Sequence, residues 1–257
     1  MRIQARILRH SIVFSFGLVV ALSSCATTTR TNLVSLDDAS ECVVLLHGLN
    51  RSWRTMRKMA TALQDEGFSP ANVDYPSQQG TVEGLAPMAV NSGLDQCRLT
   101  GANKIHFVTH SMGGILLRYA HGVEPIPELG RVVMLGPPNQ GSEVIDRTRD
   151  WGVTRMISGE AGLQLGTSAT DIPAQLRPVN FELGVIAGTG TINPIMSAVL
   201  PDHDDGKVTV ERTKADGMSD FLVVPVSHSF IMRNDKVIDR TAVFLQSGRF
   251  RVPAAAD

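Results

Sequence analysis

Val108-Thr109-His110-Ser111-Met112-Gly113-Gly114 decides how the rest of this chain is read. Ahead of Ser111, Lys104-Ile-His-Phe-Val-Thr109 is rich in β-branched and aromatic residues and is predicted to be a strand. Behind it, residues 112–121 are predicted to form a helix. Strand passes into helix with a single serine at the joint, and small residues follow it, as a close strand–helix approach requires. Ser-x-Gly alone is a frequent accident. Set between a strand and a helix, it is a specific signal.

The same alternation repeats on both sides of this joint. Cys42-Val-Val-Leu-Leu-His47 is a continuous apolar run, expected of a strand buried on both faces. Ser52 stands where it would cap a helix in which Trp53, Met56, Ala60 and Leu63 recur at helical spacing as far as Gly67. Residues 71–75 read as a second strand closed by Pro76, and residues 82–98 as a helix. Residues 131–135, 181–188 and 221–226 read as further strands, and residues 234–247 as the last helix. This order predicts an α/β fold with a mostly parallel central sheet, right-handed crossovers and helices on both faces. Residues 143–179 interrupt the alternation after the strand at 131–135. Their apolar residues (Trp151, Met156, Ile157, Leu163, Leu165) suggest an insertion over one end of the sheet, as a mobile lid or a rigid wall.

Composition narrows the function classes. Twenty-four basic and 25 acidic side chains leave a net charge of −1, and no basic stripe of a nucleic-acid binder is present. A charged fraction of 19% against 43% hydrophobic residues excludes a disordered chain. Residues 1–24 read as an export leader, with Arg2, Arg6 and Arg9 at its basic start, an apolar stretch from Ile12 to Leu22, and Ser23-Ser24 at its end. That stretch is shorter than the roughly 20 apolar residues of a spanning helix. Leu22-Ser23-Ser24-Cys25 resembles the lipobox of bacterial lipoproteins. The resemblance implies lipidation of Cys25 and loss of the leader. With Ala26 in place of an inner-membrane-retaining Asp, it also implies a lipid anchor in the outer membrane, facing the periplasm. Residues 25–40, rich in Thr, read as a tether to one globular domain at 41–250. Cys42 and Cys97 are expected near one edge of the sheet, either as a disulfide, which export permits, or as two buried thiols.

The joint at Ser111 resembles the nucleophile elbow, G-x-S-x-G, of the α/β-hydrolase superfamily. From about residue 41 to 247 the chain looks closest to compact bacterial lipases and esterases, with palmitoyl-thioesterase-like relatives nearby. The resemblance implies an α/β-hydrolase fold and a serine hydrolase that cleaves carboxylic esters through an acyl-enzyme, without metal or organic cofactor. Thr109 stands where the pattern has its first Gly. That departure falls on the strand side, where a β-branched residue suits the backbone. The family's chain order of Ser, acid, His points to Ser111 as nucleophile and to His228, after the last strand, as base, with His203 as runner-up. Asp205-Gly-Lys-Val208 resembles the family's D-G-x-V segment, which makes Asp205 the first candidate acid, Asp204 the second and Asp202 the third. His47-Gly48-Leu49 resembles the loop that supplies an oxyanion donor in lipase-like hydrolases. Carried over by position, the donors are the backbone N–H groups of Leu49 and Met112. Residues 136–142 resemble a Pro-Asn-x-Gly-Ser segment of the same group, expected to shape the rim of the site, with Asn139 and Ser142 within reach of substrate.

The expected substrate is a small-molecule or lipid ester. Two other readings stand beside it: a thioesterase or acyltransferase acting on envelope lipids or lipidated proteins, and a non-enzymatic envelope lipoprotein on a hydrolase scaffold. Other signals come to little. Asp202-His-Asp-Asp-Gly206 is out of register for an EF-hand loop, and no zinc-binding spacing occurs. Gly188-Thr-Gly190 lacks the third glycine of a dinucleotide loop. Arg51, Arg54, Arg57 and Lys58 are read as the solvated basic start of a helix, with contact to a lipid headgroup as the alternative.

Overall fold

The computed structural model describes residues 41–190 and 204–251. The leader, Cys25, the tether up to residue 40, and the candidates Asp202 and His203 lie outside the described residues.

The buried apolar runs form β1 (Cys42–Leu46), β2 (Ser69–Val73), β3 (Ile105–His110), β4 (Leu129–Leu135), β5 (Leu183–Gly188) and β6 (Asp220–Val224). Their order in the sheet is β2-β1-β3-β4-β5-β6, and every neighbouring pair is parallel. The order reverses between β1 and β3, so the loops leaving those two strands open side by side at the carboxyl end of the sheet. In open α/β sheets such a crevice is where ligands bind.

The alternation of β1 explains its unbroken apolar sequence. Cys42, Val44 and Leu46 face one core with α2 (Val82–Leu99) and α3 (Met112–Val123), while Val43 and Leu45 face another. That second core receives Met59 and Leu63 from α1 (Arg57–Asp65) and Val237 and Phe244 from the C-terminal helix (Asp235–Ser247). The chain belongs to the α/β fold class expected from its pattern.

Several boundaries move, each for an identifiable reason. The helix expected from Ser52 begins as a 3-10 turn at Trp53–Thr55, and Ser52 offers no side-chain cap. Asp74 accepts the Trp53 N–H instead, at 3.1 Å. β2 lies two residues earlier than expected, because its ladder ends where β1 ends, at Leu46 opposite Val73. Tyr75 is therefore outside the strand, buried, with its hydroxyl donating to the His47 carbonyl at 2.5 Å. β6 stops at Val224 because Pro225 has no N–H to continue the ladder. His121, in the last turn of α3, accepts the Ile126 N–H at Nδ1, 3.2 Å away.

The insertion forms α4 (Glu143–Thr148), α5 (Gly152–Leu163) and α6 (Ile172–Gln175). Gln78 Nε2 donates to the Ile157 carbonyl at 2.8 Å, the Ala161 N–H to Gly80 at 3.0 Å, and the Val82 N–H to Gln164 Oε1 at 2.7 Å. These bonds tie its second half to the loop before α2. A short α7 (Val210–Thr213) precedes β6, and the C-terminal helix is α8.

Cys42, at the start of β1, and Cys97, near the end of α2, form a disulfide with Cα atoms 5.6 Å apart. The bond closes a 55-residue loop, which on the chain-entropy account stabilises the fold by about 4 kcal/mol. A Cys42→Ser/Cys97→Ser double variant is therefore expected to unfold at markedly lower urea, and reducing agent should lower the wild-type midpoint but not that of the variant.

Candidate active site

Ser111 follows β3 directly and holds φ 54° and ψ −124°, a region that a non-glycine residue enters only when its surroundings impose it. The imposition is visible. Its N–H donates to the Leu135 carbonyl at 2.9 Å, and α3 begins at the next residue. A Cβ on Gly113 would lie 2.8 Å from the Leu46 carbonyl oxygen and 2.9 Å from that of His47, so only glycine lets α3 start this close to the end of β1. Thr109, in the place of the pattern's first glycine, is fully buried, and its hydroxyl has no partner among the described residues. The space it needs is open because Gly114 opposite also lacks a side chain.

Three residues distant in sequence meet here. Ser111 Oγ lies 3.0 Å from His228 Nε2, and His228 Nδ1 lies 2.7 Å from Asp205 Oδ2. A carboxylate only accepts, so Nδ1 carries the proton and Nε2 is left to accept from the serine hydroxyl. The other Asp205 oxygen accepts the N–H groups of Lys207 at 3.0 Å and Val208 at 2.9 Å, which is why the D-G-x-V turn presents this acid and not its neighbour. Asp204 turns away, accepting the Gly206 N–H at 2.6 Å. Among the described residues, the Leu49 and Met112 N–H groups make no hydrogen bond. Gly48 approaches Ser111 so closely that a Cβ on it would lie 3.0 Å from the serine Cβ. His47 holds this loop, its ring stacked on Tyr75 at 4.1 Å and its Nδ1–H donating to the Gly48 carbonyl at 2.9 Å.

Residues 43–242 match the alpha/beta hydrolase family. The chain belongs to the alpha/beta hydrolase family. The mature form of Bacillus licheniformis lipase BlEst2 superposes with a TM-score of 0.68 at 19% identity, over 82% of this chain and 93% of that one. Legionella pneumophila phospholipase PlaB superposes with a TM-score of 0.64 at 16% identity, over 84% of this chain and 61% of that one. The metagenomic carboxyl esterase MGS0156 gives 0.61 at 17% identity, over 79% of this chain and 69% of that one. At such identities the likeness is one of fold. No curated protein sequence matches the chain significantly.

In this alpha/beta hydrolase a cavity of about 280 Å³ opens over Ser111 and His228. The insertion supplies its apolar wall through Val144, Ile145, Trp151, Val153, Ile157 and Leu165. Trp151, Val153, Met156 and Ile157 are also substantially exposed to solvent. The Pro-Asn-x-Gly-Ser segment divides in two. Asn139 is buried away from the cavity, accepting from Arg118 at 3.0 Å and donating to the Thr213 carbonyl at 2.8 Å. Ser142 lines the cavity and donates to the Lys207 carbonyl at 2.9 Å. Burial lowers the Arg118 pKa to about 10. Among the described residues no three His, Cys, Asp or Glu side chains converge to hold a metal ion.

Three participants escaped the sequence reading. His110 is buried and donates from Nε2 to the His228 carbonyl at 3.0 Å, which holds the His228 loop in place. Its Nδ1 has no partner, and burial, followed by the nearby His228, keeps its pKa well below the ordinary imidazole value. Arg51 does not belong to the solvated face of α1. It lines the mouth of the cavity and donates to Ser229 Oγ at 3.3 Å. Lys207 lines the same mouth. The Asp205-Gly-x-Val208 pattern places residue 207 beside the site, but Arg51 could be found only from the fold.

Burial also lowers the pKa of His47 and His106. In each of the three rings the folded state refuses a proton that the unfolded chain accepts below about 6.5, so stability rises with pH across that window. The urea midpoint is expected to fall between pH 7.5 and pH 5.5, with a smaller fall in His110→Asn. An equal fall in the variant would contradict the part assigned to His110.

Proposed function

We propose that this protein is a serine hydrolase of carboxylic esters, working through an acyl-enzyme. The observation that carries the reading is the unbroken contact from Asp205 through His228 to a serine held in a strained turn. Ser111 Oγ attacks the ester carbonyl carbon while its proton passes to His228 Nε2. Asp205 keeps the imidazole in the required tautomer and balances its positive charge. The carbonyl oxygen becomes an oxyanion that accepts from the Leu49 and Met112 N–H groups, the second at the positive end of α3. Collapse breaks the bond to the alcohol oxygen, which takes the proton from His228, and water then releases the acid by the same steps.

The apolar wall supplied by the insertion supports an acyl chain as the group bound there, and the cavity is at the small end of ligand pockets. The exposed Trp151, Val153, Met156 and Ile157 support access to a lipid phase. Lipid attachment at Cys25, on the periplasmic side of the outer membrane, completes the proposal and is supported by the leader and the lipobox-like Leu22–Cys25.

A fluorophosphonate probe is expected to label the wild-type protein and not Ser111→Ala. On a short-chain ester, Ser111→Ala and His228→Ala should lower kcat by about 10⁴-fold or more, and Asp205→Asn by a similar order. Equal labelling of Ser111→Ala would refute the assignment. In cells, Cys25→Ala should move the protein from the membrane fraction to the soluble one, and unchanged fractionation would refute the anchor.

A further inference from the structure

The mouth of the cavity is charged in one sense only. Its lining includes Arg51 and Lys207 and, among the described residues, no Asp or Glu. Among the described residues neither cation is within 4.0 Å of a carboxylate oxygen, although these residues contain many ion pairs elsewhere. Two of the other basic residues singled out in this part of the sequence are differently engaged. Lys58 pairs with Asp235, and Arg54 lies over the ring of Trp53 at 5.1 Å. Asp205, whose charge acts on Lys207, has its two oxygens taken up by His228 and two backbone amides.

Both cations are held beside the proposed base. Arg51 bonds Ser229, the residue after His228. Lys207 is fixed through its backbone, its N–H on Asp205 and its carbonyl on Ser142. Desolvation, and then the positive charge of Arg51, lower the Lys207 ammonium pKa, so the two cations that line the cavity repel each other. An anion at that point would relieve the repulsion and meet two strong donors. His228 must hand its proton to the departing alcohol, so the leaving oxygen sits on the side where these cations stand. The acyl half is left with the apolar wall of the insertion.

We propose that the ester cleaved here carries an anionic group, phosphate or carboxylate, on its alcohol half, bound between Arg51 and Lys207. The inference rests on the ester-hydrolase reading and specifies its substrate class.

The test uses the purified protein and three water-soluble hexanoyl esters below their aggregation limit, so that no lipid surface contributes: those of glycerol, glycerol phosphate and glycerate. The kcat/KM for the phosphate or the carboxylate ester should exceed that for the neutral ester by about tenfold, and the larger ratio identifies the anion. The advantage should shrink at about 0.5 M NaCl. Arg51→Gln and Lys207→Gln should each cut the ratio of anionic to neutral substrate about threefold, the double variant should bring it to about one, and Lys207→Arg should retain it. Equal rates on all three esters in the wild type, or an undiminished ratio in the double variant, would overturn the proposal while leaving the hydrolase reading intact. Failure to cleave any of them, with Ser111 unlabelled by fluorophosphonate, would overturn both.

Discussion

At Ser111 the backbone holds a conformation that costs about 1–3 kcal/mol, and much of the neighbouring architecture serves to impose it. The strand before it is locked by parallel ladders on both edges, to β1 and to β4. The helix after it is pressed against the carbonyl groups that end β1, through a glycine that admits no side chain. Between these two fixed bodies the serine has one path, and it lifts the hydroxyl clear of the sheet. The cost is met by the many apolar contacts of two cores, one on each face, that hold β3 at the centre of the sheet.

The same constraint arranges the rest of the site. Because the strand order reverses between β1 and β3, the loop from His47 to Leu49 emerges beside the serine, and among the described residues the Leu49 N–H makes no hydrogen bond. The proposed acid and base arrive from much later in the chain and are joined by backbone bonds as well as by their side chains. The His228 N–H donates to the Asp205 carbonyl at 2.9 Å, and the His228 carbonyl accepts from His110. Ser142 ties the Asp205 loop to the rim. His228, Asp205, Ser142 and the backbone of Lys207 are therefore joined in one hydrogen-bonded block.

The described part of residues 41–250 was largely legible as alternating strands and helices because every strand but β2 carries apolar residues for both faces of the sheet, and such runs have few other uses. Two of the boundaries that moved were settled by a partner distant in sequence. Asp74 caps the Trp53 turn in place of Ser52, and β2 can extend only as far as β1 offers it hydrogen bonds. The choice of Asp205 over Asp204 followed a four-residue pattern whose physical content is local, two amides closing on one carboxylate oxygen.

What the sequence determined by itself was the kind of fold and the short-range geometry: a serine at a strand–helix joint, an acid in a tight turn, a histidine after the last strand. These depend on backbone preferences and on neighbours within a few residues. Only the tertiary structure decided which groups face one another across the carboxyl end of the sheet. His110 under the His228 loop, Arg51 beside Lys207 and the insertion's apolar wall over Ser111 are contacts between segments tens of residues or more apart. No local pattern encodes them, because they come into being only when the parallel strands line up and bring their loops to one end.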